Sequence, residues 1–222
     1  TEALVAVWNL ENVNESFGTN NLSNNGGVTF TSGKILNAAT FDGVNDNLSI
    51  DDNAALSVGA GVTFTATGWF KLNAYPGLGL VSAIFSKWDE ASNNREYSCE
   101  VSQLGAIYFA VSSDGINVFS AITPNGVIQL GVWYFVVCWY DKNNVYLELN
   151  NNGVIYNSGA NTQIFNGVSK FRLGARHNDT QFLNGQIDAV RIYKHSTRFL
   201  TNLERSNLYH AGMGIQYSSS NI

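Results

Sequence analysis

Glu96 and Glu100, four residues apart in the run REYSCEVS, are the first pair whose types suit acid–base chemistry. On a strand, residues i and i+4 project from one face. Glycoside hydrolysis needs two carboxylates on either side of the scissile bond at a set separation. This pair has Tyr97 and Cys99 around it and no further acid in register, so both are read as rim carboxylates at the surface. The three histidines, His177, His195 and His210, are scattered, and no zinc-type spacing joins them to each other or to a cysteine. Each is read as a surface or packing residue.

Sugar recognition has a different signature. The apolar face of a pyranose packs on Trp or Tyr, while its hydroxyls pair with Asn, Asp and Arg. Lys87-Trp88-Asp89-Glu90, followed by Asn93-Asn94-Arg95, is the strongest cluster of this kind. Tyr75 in the preceding loop can join it, and Arg176-His177-Asn178-Asp179 forms another polar rim. The expected ligand-binding set is therefore Trp88, Asp89, Asn94, Arg95, Tyr75, His177 and Asn178. The competing reading has Trp88 ending a strand and packing as a lid on the core. Trp8, Trp69, Trp133 and Trp139 fall inside strand-like runs and are read as core or sheet-face residues.

The elements that must position these residues are strands. Residues 62–72 (VTFTATGWFKL) alternate, with Val62, Phe64, Ala66, Gly68 and Phe70 on one face. Residues 132–140 (VWYFVVCWY) are nearly all apolar, as for a strand buried on both faces. Residues 33–50 (GKILNAATFDGVNDNLSI) read as two strands around a polar turn, with Phe41, Val44 and Leu48 as apolar pegs. Residues 12–27 read as a polar loop. Ser113-Asp114-Gly115, Pro124-Asn125-Gly126 and Asn151-Asn152-Gly153 are turn signals. One helix is expected, opened by a Thr201–Glu204 capping box, with Leu203 and Leu208 as its apolar face and Gly212 as its stop. The class predicted is all-β, a two-sheet antiparallel sandwich with one short C-terminal helix, as a single domain over 1–213 and a loose tail over 214–222.

Composition narrows the partners. Of 222 residues, 45% are hydrophobic and only 13% charged, and 29 are Asn, so neutral polar groups keep the surface wet. The net charge of −5 and the lack of a Lys/Arg run argue against a nucleic-acid partner. No apolar run approaches the roughly 18 residues of a spanning helix, and no membrane insertion is expected. Thr1 suits a chain whose initiator Met has been removed; a complete small protein and an excised domain both fit. Cys99 and Cys138 lie in strand-like runs and are read as two buried small side chains, with a bridge between neighbouring strands left open.

In sequence order, residues 33–50 and 62–72, then IFSKWD, REYSCEVS, WYFVVCWYD, VYLELNNNG and FLNGQIDAVRIYKHSTRFLTNLERSNLYHAG, resemble the laminin-G-like, concanavalin A-like lectin/glucanase jelly rolls over residues 4–213. The departures are a short insertion-like Ser196-Thr197-Arg198 and Cys138 in place of the usual Ala or Thr. The resemblance implies two curved antiparallel sheets but no single function, because this superfamily holds lectins, glycan-binding modules, adhesion domains, virion surface proteins, glycosidases and lyases. The acidic run of the glucanases is missing. Arg95-Glu96-Tyr97 and Gln186-Ile187-Asp188 only echo the lyase motifs, whose His is absent. A structural Ca2+ is common in the family, and Asp42, Asp46 and Asp188 lie in the matching turns. The alternative is that these carboxylates cap their own turns. No other cofactor is expected. The resulting expectation is a non-catalytic recognition module, extracellular or on a virion surface, whose partners are glycans or other protein subunits. A phage-capsid decoration protein is the alternative and a glycoside hydrolase or lyase the third reading.

Overall fold

The computed structural model describes residues 3–159, 162–177, 181–196 and 198–218. In chain order the strands are β1 (Ala3–Trp8), β2 (Ser23–Asn25), β3 (Thr29–Ser32), β4 (Asn37–Asp42), β5 (Asn47–Ile50), β6 (Thr63–Leu72), β7 (Val81–Asp89), β8 (Asn94–Ser102), β9 (Ile107–Ser112), β10 (Val118–Ile122), β11 (Trp133–Tyr140), β12 (Val145–Leu149), β13 (Ile155–Asn157), β14 (Phe171–Leu173) and β15 (Asn184–His195). Eight form one sheet, ordered β13-β12-β11-β6-β15-β4-β3 with β1 also on β15; seven form the other, ordered β10-β9-β8-β7-β14-β5-β2. All the pairings are antiparallel, giving the jelly-roll sandwich that the patterning predicts.

The core lies between the sheets. Phe64, Ala66 and Phe70 of β6 and Val136 and Cys138 of β11 face Phe85, Tyr97, Cys99 and Phe171 of the other sheet, all fully buried. Aromatic contacts tie the sheets together: Phe64 meets Tyr97 at 4.5 Å and Trp8 stacks on Phe171 at 5.2 Å. Each such side chain contributes about 1.5–3 kcal/mol by burial. Cys99 and Cys138 are free and stand on opposite sheets, not on neighbouring strands. The two cysteines meet as packing groups, and burial pushes the Cys138 thiol up.

Residues 33–50 hold the two expected strands, β4 and β5, around a polar turn; the strands belong to different sheets, and the turn carries the chain across. Other sequence expectations are corrected. Phe41 and Leu48 are core residues, but Val44 sits at the bend, where alternation stops, and is 70% exposed. Residues 12–27, read as loop, contain β2, an exposed edge strand without an apolar face. The helix α1 (Asn202–Tyr209) has the expected Thr201–Glu204 capping box, but His210 in the left-handed region closes it, not Gly212. Leu203 and Leu208 are five residues apart, about 140° around a helix, so Leu203 faces solvent and Leu208 and Tyr209 do the packing.

α1 covers an apolar outer face of the eight-stranded sheet made by Trp69, Phe135, Val137 and Trp139. Arg205 anchors it: Nε meets Glu148 Oε2 of β12 at 2.8 Å, Nη1 donates to Leu200 O, and the guanidinium lies 4.7 Å from the Trp139 ring. The segment after Gly212, expected to be loose, is tied down as far as Tyr217. Tyr217 exchanges two hydrogen bonds with Asn9, both 3.0 Å, and Arg191 donates to Ile215 O at 2.6 Å.

Asp188 fixes another part of this face. It stands opposite Trp69 at a bulge in β15, where Ala189 has φ 49°. Its Oδ2 accepts the Ile35 amide at 2.8 Å, docking the β3–β4 turn, while Lys34 Nζ lies 4.5 Å from the Trp69 ring. Burial pushes the Asp188 carboxyl up from 3.8 to about 7. A raised folded-state pKa adds stability that is fully present below the unfolded value and is lost as pH rises through the folded one. Between pH 4 and pH 7.5 the wild type should lose on the order of 3 kcal/mol relative to Asp188→Asn, which keeps the acceptor and cannot ionise. Urea titrations of both proteins across that range measure the difference; parallel curves would show that Asp188 titrates normally.

Candidate functional site

The outer face of the seven-stranded sheet is chemically unlike its counterpart. One transverse row runs through every strand: Ser23, Ser49, Arg172, Ser86, Ser98, Ala110 and Ser120. Alternation puts these positions opposite to the core-facing Phe85, Cys99 and Phe109. This floor of mostly small side chains is largely covered, Ser86 and Ser98 completely and Ser49, Arg172 and Ala110 nearly so, and accessible surface remains at its two ends, Ser23 and Ser120. On β8 to β10 the next row, Glu100, Tyr108 and Ile122, forms one wall.

The β14–β15 connection supplies the polar side of this floor. Ser86 Oγ donates to Ala175 O at 2.8 Å, which fixes the loop on the sheet. Arg176 then reaches across, with Nε 2.5 Å from Glu100 Oε1 and Nη1 3.1 Å from Glu90 Oε1. Ser98 Oγ donates to the same Glu100 oxygen. Burial pushes the Glu100 carboxyl up, opposed by Arg176. Glu90 is half-exposed, so Arg176 links one buried and one open carboxylate.

The expected binding residues divide into two groups. Trp88, Asp89 and His177 come together: Arg176 lies 5.5 Å from the Trp88 ring, and His177 Nε2 is 3.1 Å from Asp89 Oδ2. Trp88 is only 2% exposed, however, and belongs to neither apolar cluster. It is a buried support beneath Arg176, and the half-buried aromatic beside the floor is Tyr108. Asn94 holds the 167–169 segment through Val168 N and Ser169 Oγ, and Arg95 Nη1 donates to Gly115 O and Ile116 O at 3.2 Å. Tyr75 lies at the other end of β7, roughly 26 Å away at 3.3 Å per residue, where its hydroxyl donates to Ile128 O. Asn178 lies outside the described residues.

The Glu96–Glu100 reading is also corrected. A register shift between β7 and β8 places Lys87 opposite Tyr97 but Trp88 opposite Arg95. Glu96 is turned toward Lys87, 2.7 Å away, while Glu100 keeps to the outer face. Both are buried, so neither is a rim carboxylate. Lys87 also pairs with Asp52 at 2.8 Å and pins the loop after β5. Desolvation by burial lifts the Glu96 carboxyl to about 6, with Lys87 opposing it.

The three aspartates named for calcium do not converge. Asp42 Oδ1 accepts from Val44 N (2.7 Å) and Asn45 N (3.2 Å), and these bonds hold its carboxyl below the usual range. Asp46 Oδ2 accepts from Asp42 N at 3.0 Å, and burial pushes its carboxyl up. Asp188 is four residues along β15 from the partner of Asp42 and is engaged with Ile35. Ca2+ asks for about six to eight oxygens. Among the described residues no group of three His, Cys, Asp or Glu side chains is placed to hold a metal. The trio does not fit the ion.

Arg176→Met leaves Glu100 buried without its cation and should cost about 2–4 kcal/mol in urea unfolding. Adding Glu100→Gln should recover most of that loss. If Arg176→Met unfolds within about 0.5 kcal/mol of wild type, the pair does not organise this face.

The same architecture recurs in solved structures. Domain 4 of AbnA, a GH43 extracellular arabinanase from Geobacillus stearothermophilus solved with arabinotriose, aligns over 96% of this chain and 99% of its own, with a TM-score of 0.68 and 19% identity. The binding domain of Paraclostridial Mosquitocidal Protein 1 aligns over 94% of this chain, with a TM-score of 0.74 and 16% identity. The binding domain of Botulinum Neurotoxin DC in complex with SialylT aligns over 95%, with a TM-score of 0.64 and 11% identity. The chain spans 52% and 51% of those two toxin domains. Comparison with curated proteins finds no significant match. The family model described as the concanavalin A-like lectin/glucanases superfamily matches residues 41–198, and the chain belongs to that superfamily.

Proposed function

We propose that this protein is a non-catalytic glycan-recognition module whose ligand lies on the outer face of the seven-stranded sheet, at its β9–β10 edge beside Tyr108 and Ser120. The observation that carries this reading is the rim at that edge. Tyr108 offers a half-buried aromatic ring, Arg176 and Glu90 offer donors and acceptors, and the small side chain of half-buried Ser120 leaves the edge beside them open. Part of the opposite sheet is closed off, because α1 and the 214–217 segment lie against it. The neighbours support the class of ligand: one is solved with arabinotriose and another with SialylT. Glu100 and Glu96 are each engaged by a cation, which suits holding a ligand better than proton transfer. An extracellular setting accords with the arabinanase neighbour.

A glycan array carrying arabinan-type and sialylated oligosaccharides tests the proposal. Wild type should bind one sugar class. Tyr108→Ala, and Ser120→Trp that fills the floor from its edge, should each weaken binding by about tenfold or more without loss of folded protein. A folded but silent wild type, or binding that neither variant changes, would remove the site from this face.

A further inference from the structure

Exposed apolar side chains are concentrated at one end of the sandwich. There the β4–β5, β6–β7, β8–β9 and β10–β11 connections lie side by side. Residues 73–80, 103–106 and 123–132 contain no Asp, Glu, Lys or Arg, although the chain carries a net charge of −5; the β4–β5 turn at the margin of this end carries Asp42 and the buried Asp46. Exposure reaches 93% at Leu78, 70% at Val44, 57% at Leu104 and 49% at Leu80. Large apolar groups gathered on one sparsely charged surface mark an interaction site rather than ordinary scatter.

The surface carries both a knob and a hollow. Leu78 is the knob. It sits in a tight turn closed by Leu80 N to Gly77 O at 3.0 Å, with Gly79 at φ 75° supplying the left-handed position. Gly79 N donates to Gln103 Oε1 at 2.7 Å, so the turn is braced and little backbone freedom remains to be lost on contact. The hollow, of about 330 Å3, opens beside it and is lined by Ala74, Tyr75, Pro76, Leu80, Val81 and Phe182. Tyr75 is held in that wall by its bond to Ile128 O at 2.7 Å.

We propose that this end is a self-association surface, on which two copies of the chain dock about a twofold axis and Leu78 of each enters the hollow of the other. A twofold interface sets one patch against itself, so it must be self-complementary. A knob next to a hollow meets that requirement. The loops that carry the knob and the hollow's wall, 73–80 and 103–106, hold no charged residue, so two copies, each at −5, repel less there than elsewhere, with Asp42 at the margin. This contact is independent of the sheet face assigned to glycan.

Sedimentation velocity from about 1 to 500 µM should show a monomer–dimer equilibrium in wild type. Leu78→Asp, which spoils the knob, and Ala74→Arg, which spoils the hollow, should each weaken dimerisation by at least about tenfold. Mixing the two variants should restore a dimer. The Asp knob of one then meets the Arg hollow of the other, and the second contact keeps its native leucine. A wild type that stays monomeric throughout, or variants that do not rescue one another, would overturn the proposal. Capture of wild type by phosphatidylcholine vesicles with no dimer would overturn it in favour of a lipid surface.

Discussion

The buried pair between Arg205 and Glu148 is the contact on which the arrangement of the two outer faces rests. The outer face of the eight-stranded sheet holds Trp69, Phe135, Val137 and Trp139 and cannot stay open to water. Its cover is an eight-residue helix, too short to persist alone. Tertiary contacts must therefore hold that helix in place. A buried ion pair adds little net stability, because desolvation offsets its attraction, but loss of one partner strands the other. Its value here is positional: Arg205 sets the helix over Trp139 in one register.

Covering one outer face leaves the molecule asymmetric. The seven-stranded sheet carries serines, an alanine and one arginine in the transverse row, mostly buried, with the β14–β15 loop rather than a helix laid against them. Its polarity is organised by a single side chain, Arg176, which a loop lays over Trp88 between two glutamates. One sheet thus faces outward through a helix and the other through a loop. Loops tolerate change far better than packed helices do, so variation among relatives of this fold should collect over the seven-stranded sheet.

Period-two alternation made most strands legible, and the Thr201–Glu204 capping box located the helix. The misses have physical causes. Val44 looked like a peg because alternation was carried through a bend that switches sheets. Glu96 and Glu100 looked coplanar because a register shift between β7 and β8 leaves no local mark in composition. Trp88, Asp89 and His177 were legible as a group, since Trp88-Asp89 ends a strand and His177 follows a short one. Tyr75 was not separable from them in sequence, because only the direction of β7 puts them at opposite ends. The floor did leave a trace, in serines at alternate positions of otherwise apolar strands, such as Ser98 between Tyr97 and Cys99. Its meaning appears only when the register aligns seven strands.

Cys99 and Cys138 sit as free thiols on facing sheets at the centre of the sandwich, both fully buried. A water-borne alkylating reagent cannot meet either sulfur while the sheets stay together. The molecule therefore carries a built-in clock: the rate at which its thiols become labelled in native buffer counts excursions in which the whole sandwich parts, and it ignores the fraying of loops and edges.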